Sequence, residues 1–220
     1  MQRLEQAEPV QYVLGTTMFC DKAIQVAPGV LIPRPETEEL CRWVMETTVG
    51  DNPLILDVGT GSGCIAITLA LELSGAKVTA WDVSTVAINI AGQNAVSLCA
   101  DVNFMLQDAL TPPSDEAKWN VIVSNPPYIC EREKKDMERN VLDNEPSLAL
   151  FVPDSEPLLF YRAIACYACK ALKDNGFLFF EINPLYVDDM LLMLEEMGYV
   201  DLEVRTDQFG KQRFIKAVKI

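Results

Sequence analysis

The residues best suited to chemistry in this chain are Asn125-Pro126-Pro127-Tyr128, directly after the apolar run WNVIVS (119–124). Two consecutive prolines remove two backbone donors and fix φ, so this corner is rigid and presents acceptors: carbonyl oxygens and the asparagine side-chain oxygen. A substrate NH2 placed there donates one hydrogen to Asn125 and one to the Pro126 carbonyl. Those bonds aim the nitrogen and favour pyramidal over planar geometry, which frees its lone pair. Tyr128 is placed to stack on a flat substrate group. If the electrophile is a methyl already activated as a sulfonium, no base is needed before attack. The rate then comes from proximity, orientation and fixed dipoles. The chain contains no histidine, which excludes Ser-His and Cys-His nucleophiles and most metal sites, and no metal is expected.

A second group precedes this corner. Asp57, Gly59, Thr60, Gly61 and Gly63 form the run DVGTGSG after the apolar strand LILDV. Glycines at a strand-to-helix turn permit a tight bend and close approach of a ligand to the backbone. The GxGxG spacing differs from the GxGxxG of dinucleotide folds, where pyrophosphate reaches the helix N-terminus, and it suits a nucleoside without phosphates. Asp82 ends the next strand, where a carboxylate accepts both ribose hydroxyl hydrogens. Asp108 ends the third and is placed to receive an adenine amino group.

Such residues need strands that end at one place. From residue 54 onward apolar strands alternate with amphipathic helices. The strands are LILDV (54–58), KVTAWD (77–82), VNFMLQ (102–107), WNVIVS (119–124) and FLFFEI (177–182). Helices are expected over 61–74, from a Ser84 cap to about Leu98, over 156–172 and over 185–197, the last ended by Gly198. VDLEVR and RFIKAVKI close the chain as an antiparallel pair, because their connection is short. This order predicts a doubly wound α/β sheet, seven-stranded and mostly parallel, with ligands beyond the carboxyl ends of its central strands. Residues 51–220 make up that catalytic domain. Residues 1–50 stand apart, with a short hairpin around Met18–Val26 and a helix beginning near Pro33. Residues 129–155, charged and proline-containing, read as a long loop.

Bulk properties narrow the setting. Half of the 220 residues are apolar, enough for a substantial core. No run of some 18 apolar residues or signal-like start is present, so a cytoplasmic protein with no membrane association is expected. The seven cysteines read as buried, reduced thiols, the Cys166/Cys169 pair included. The formal net charge of −14 argues against a nucleic-acid substrate and for a basic protein partner.

The segment VLIPRPETE (30–38), the GTGSG loop and the NPPY corner occur in this order in one family, and the chain resembles the HemK/PrmC methyltransferases. EPVQYVLG (8–15), Glu145-Pro146 to Ala149-Leu150 and the closing GKQRFIKAVKI extend the resemblance over nearly the whole chain. It implies a Rossmann-like class I fold and S-adenosyl-L-methionine as cofactor. It also implies a glutamine acceptor, in the GGQ motif of peptide-chain release factors during translation termination. By the same resemblance the glycine loop, Asp82, Asp108, Asn125 and Thr37 hold the cofactor, Thr37 at its amino-acid end. Asn125, Pro126, Pro127 and Tyr128 take the glutamine, while Arg34 and Glu36 order the PRPETE loop or touch substrate. The enzyme is expected to act as a monomer.

The chain departs from the family pattern in three places. It begins where a helical N-terminal domain is expected to end, so residues 1–50 read as a linker to that domain. Phe151-Val152-Pro153 replaces a glycine pair, and Asn183-Pro184 follows Glu181 in place of glycine. The runner-up function is a nucleic-acid amino-methyltransferase, acting on adenine N6 or guanine N2 through the same corner. It calls for a basic face, whereas Arg132, Lys134, Lys135 and Arg139 are interleaved with acids.

Overall fold

The computed structural model describes residues 2–5 and 7–220. The helices α1 (Gln2–Glu5) and α2 (Val10–Leu14) lead into a hairpin of β1 (Thr16–Phe19) and β2 (Lys22–Gln25), followed by α3 (Pro35–Thr47). The α/β alternation then runs β3 (Leu54–Val58), α4 (Cys64–Glu72), β4 (Lys77–Asp82), α5 (Thr85–Leu98), β5 (Val102–Leu106) and β6 (Trp119–Ser124). Next come β7 (Ile129–Cys130), a 3-10 turn (Glu131–Asp136), α6 (Arg139–Asn144), α7 (Ser147–Leu150) and β8 (Phe151–Val152). The chain closes with α8 (Leu159–Ala171), β9 (Leu172–Glu181), a 3-10 turn (Pro184–Tyr186), α9 (Val187–Glu196), β10 (Tyr199–Thr206) and β11 (Gln212–Lys219).

The main sheet has seven strands in the order β10-β11-β9-β6-β3-β4-β5. From β9 to β5 all neighbours are parallel; β10 and β11 form the antiparallel hairpin expected of the tail. The order reverses between β3 and β6, so the connections leaving these strands diverge and open a crevice at their carboxyl ends. The glycine loop leaves β3 and the NPPY corner leaves β6, at that crevice.

Successive residues of the central strands face opposite layers. Leu56, Ile122, Leu178 and Phe180 join the cluster under α8 and α9. Ile55, Val121, Val123 and Phe179 join the one under α3, α4 and α5. Both faces are covered, which is why these strands read as largely apolar runs. Trp43 from α3 meets Phe179 edge-on with ring centroids 5.3 Å apart, and Tyr161 from α8 meets Phe180 at 5.2 Å. The β1–β2 hairpin shares the second cluster through Phe19 and Ile24, so residues 16–47 pack onto the catalytic sheet.

Two sequence expectations are corrected. Residues 129–155 hold short helices and a two-stranded parallel ladder, β7 with β8. Each piece is too short to show a period, and its order comes from contacts made elsewhere in the fold. Cys99 and Cys166 are exposed; Cys99 ends α5 in a left-handed conformation with φ 55°. No helix among the described residues is long and apolar enough to cross a membrane.

Candidate active site

At the end of β3 the glycine loop folds under the neighbouring strand. The Gly59 and Thr60 amides both donate to the Trp81 carbonyl at 2.9 Å. Gly59 and Gly61 have φ of +77° and +54°, and a Cβ added to either meets nothing within 4 Å. The backbone there faces open cleft, as close approach of a ligand requires. Asp82 spans the cleft floor: one carboxylate oxygen accepts the Gly61 amide and the other the Ser84 amide, each at 2.9 Å. Each oxygen retains accepting capacity toward a diol. Burial pushes the Asp82 carboxyl above the usual carboxylate range, while its backbone hydrogen bonds pull it back. Asp108 takes the Leu110 amide at 2.8 Å and lines the same cleft.

This cleft has a volume of about 370 Å³, and Gly59, Gly61, Asp82, Asp108, Asn125 and Pro126 are part of its lining. A cleft lined by bare glycine backbone and by the carboxylates of Asp82 and Asp108 has the donors and acceptors that S-adenosylmethionine needs. Asp57, Thr60, Gly63 and Thr37, also expected at the cofactor, stand behind that lining. Asp57 is fully buried and accepts the Thr60 hydroxyl at 2.6 Å. Burial raises its carboxyl to about 7, against the pull of that hydrogen bond and of the Ala66 amide. Gly63 begins α4, and a Cβ on it meets Ala91 at 3.0 Å. These residues set the shape of the loop from beneath.

A second, narrower pocket of about 270 Å³ opens beyond the NPPY corner. Leu31, Ile129, Met137 and Val141 supply apolar wall; Asn125, Tyr128, Arg34 and Glu181 supply polar groups. The two spaces share four residues: Leu31, Asn125, Pro126 and Ala149.

Glu181, at the end of β9, holds the floor. It is 2 % exposed. Its carboxylate accepts the Thr37 hydroxyl at 2.7 Å and the Tyr128 hydroxyl at 3.0 Å. Burial raises its pKa, and these two donors and the Arg213 charge oppose that rise. Thr37 accepts the Asn125 amide at 3.3 Å. The Tyr128 phenol is also raised, by burial first and then by the Glu181 charge, so it stays a donor and only its ring is left to meet a substrate.

Arg34 lines this second pocket and is paired with Glu145 at 2.5 Å, the other Glu145 oxygen accepting the Ile32 amide at 3.1 Å. Glu36, partly exposed in the first turn of α3, lines neither space. Sequence reasoning missed Glu181 and Glu145 as functional residues. Each had one weak signal, an acid at the end of an otherwise apolar strand and an acid before proline.

Residues 18–146 match the methyltransferase small domain family. A release factor glutamine methyltransferase of Bacteroides thetaiotaomicron is 50% identical over 219 residues, covering 98% of this chain and 77% of that protein. One of Lactococcus lactis is 40% identical, covering 97% and 78%. Among solved structures, a methyltransferase from Pyrococcus furiosus superposes with a TM-score of 0.68 at 16% identity, covering 99% of this chain and 98% of that one. A ribosomal protein L11 methylase from Lactobacillus delbrueckii superposes at 0.60 with 22% identity, covering 89% and 83%. The structures share the class I methyltransferase fold, and identity of this extent over nearly the full chain means that the protein belongs to the release factor glutamine methyltransferase family.

Proposed function

We propose that the protein transfers a methyl group from S-adenosylmethionine to the side-chain amide nitrogen of a glutamine in a peptide-chain release factor. The observation that carries this reading is the shared wall: Asn125 and Pro126 border both the cofactor cleft and the acceptor pocket. A nitrogen held by their oxygens lies where the two spaces meet. When bound, S-adenosylmethionine supplies a methyl activated by positive sulfur.

The chain's own residues do the rest. Asp82 holds the ribose, Asp108 the adenine amino group, and the bare backbone at Gly59 and Gly61 lets the cofactor lie close. Asn125 and the Pro126 carbonyl hold the two amide hydrogens and turn the lone pair toward the cleft. Pro127 keeps the corner rigid, the Tyr128 ring covers the flat amide, and the apolar walls exclude water. Catalysis is mostly orientation in a preorganised field.

A protein acceptor fits the charges better than nucleic acid. Among the loop cations, Lys134 pairs with Glu131 and Arg139 with Asp143, while Arg132 donates to the Tyr186 hydroxyl. Cations tied to neighbouring groups make a poor phosphate track. We take residues 1–50 as a segment built onto the catalytic unit of 51–220, acting as a monomer in the cytoplasm.

The test is methyl transfer from labelled cofactor to a GGQ-bearing release factor, to its Gln→Ala variant, and to DNA and RNA. Label on the intact factor alone is expected. Label on nucleic acid and none on protein sinks this reading in favour of an amino-methyltransferase of bases.

A further inference from the structure

The NPPY corner explains what Asn125 does only if its side-chain oxygen, and not its nitrogen, faces the acceptor. An amide side chain is nearly symmetric in shape, so packing alone does not decide between the two faces. The order of donors behind Asn125 does. Glu181, when ionised, only accepts. Thr37 has one hydroxyl hydrogen, and at 2.7 Å it goes to Glu181. Thr37 is then an acceptor toward Asn125, so the group facing it across 3.3 Å must be the Asn125 nitrogen. The oxygen is left on the side away from Thr37, where Asn125 lines both the pocket and the cleft, and an oxygen there receives an NH2 hydrogen.

We propose that Glu181 and Thr37 form a one-way hydrogen-bond relay that fixes the Asn125 amide with its oxygen toward the substrate, making both of them positioning residues for methyl transfer. Resting on the functional reading above, the relay turns the NPPY corner into a site for hydrogen-bond donors. It accepts an amide or amino NH2 and rejects a carbonyl or carboxylate of the same shape. Each link also polarises the next, so the buried Glu181 charge strengthens the Asn125 oxygen as an acceptor. Thr37 is 3 % exposed and lies outside the lining of the cofactor cleft, which suits a role behind Asn125.

Three variants test the relay: Thr37→Val, Thr37→Ser and Asn125→Ala. They are assayed on whichever acceptor the wild type labels, together with cofactor affinity and melting temperature. Valine keeps the shape and removes the hydroxyl. Turnover by Thr37→Val is expected to fall on the order of 10- to 100-fold, the usual effect of losing a group that orients a binding residue. Its cofactor affinity and melting temperature stay near wild type, and Thr37→Ser returns turnover to near the wild-type value.

Wild-type turnover in Thr37→Val, with Asn125→Ala impaired, overturns the relay and leaves the functional reading standing. A parallel loss of cofactor affinity, or failure of serine to rescue, also overturns it, because Thr37 then acts through the cofactor or through packing. A wild type that labels no acceptor at all removes the functional reading and the relay with it.

Discussion

At the scale of single residues, the carboxylates and amides of this site divide between two tasks, and substitution should separate them. On the proposed mechanism Asn125 holds the reacting nitrogen, and it lines both the acceptor pocket and the cofactor cleft. Asp82 lies on the cleft floor, its oxygens fixed by the Gly61 and Ser84 amides. Asn125→Ala is expected to lower kcat by about 100-fold or more, roughly 3 kcal/mol of transition-state stabilisation, as for loss of one preorganised polar group. Its cofactor Kd should change little. Asp82→Ala should do the reverse, raising the cofactor Kd while turnover at saturating cofactor stays closer to wild type. Isothermal titration with single-turnover rates distinguishes the two. Near-normal single turnover in Asn125→Ala rules out the assigned mechanism.

At the scale of elements, the acceptor pocket is assembled from segments far apart in the chain, and Glu145 joins two of them. It follows α6 and grips the segment before α3, accepting the Ile32 amide and pairing with Arg34. It is 5 % exposed, and truncating it leaves the buried Ile32 amide without its acceptor and the partly exposed Arg34 without its partner. Glu145→Ala is therefore expected to loosen Leu31 and Arg34 against Met137 and Val141. The KM for the release factor should rise more than the cofactor Kd. Equal changes in both would show that Glu145 supports the whole crevice and has no special part in the acceptor wall.

The same elements show what the sequence makes legible. The central strands are readable because two covered faces demand largely apolar runs, and α5 because Ser84 caps it, accepting the Ala87 amide. The glycine loop and the NPPY corner are readable because backbone demands select glycine and proline. Residues 129–155 were opaque, since their turns are held by distant partners such as Ile32. Glu181 was opaque for the same reason. Thr37 lies 144 positions away along the chain, and the family resemblance singles out Thr37 for the cofactor, with nothing in its sequence context to tie it to Glu181. Only the fold places the two side by side.

At the scale of the whole molecule, the acidic composition and the buried acids act on stability in the same direction. Asp57, Asp82 and Glu181 all have carboxyls raised by burial, Asp57 to about 7. An acid whose folded pKa exceeds its unfolded value binds its proton more tightly in the native state. Its contribution is complete below the unfolded value, about 4 for a carboxyl, and is lost as pH rises through the folded one. The net charge of −14 adds self-repulsion over the same interval. Asp207 opposes this trend at its lower end. Burial favours its neutral form, but the Lys211 and Phe209 amides and Arg213 hold it below the usual range, so its contribution disappears in strong acid. Stability should therefore be greatest in mild acid and decline toward neutrality. Asp57→Asn removes one cause of the decline while leaving an acceptor for the Thr60 hydroxyl. In urea titrations at pH 5 and pH 8, the wild type should be less stable at pH 8, and the variant should show a clearly smaller difference. An unchanged difference would mean that Asp57 is already neutral at both pH values or charged at both. Burial would then not set the pH response of the glycine loop, and the decline would belong to the surface charge.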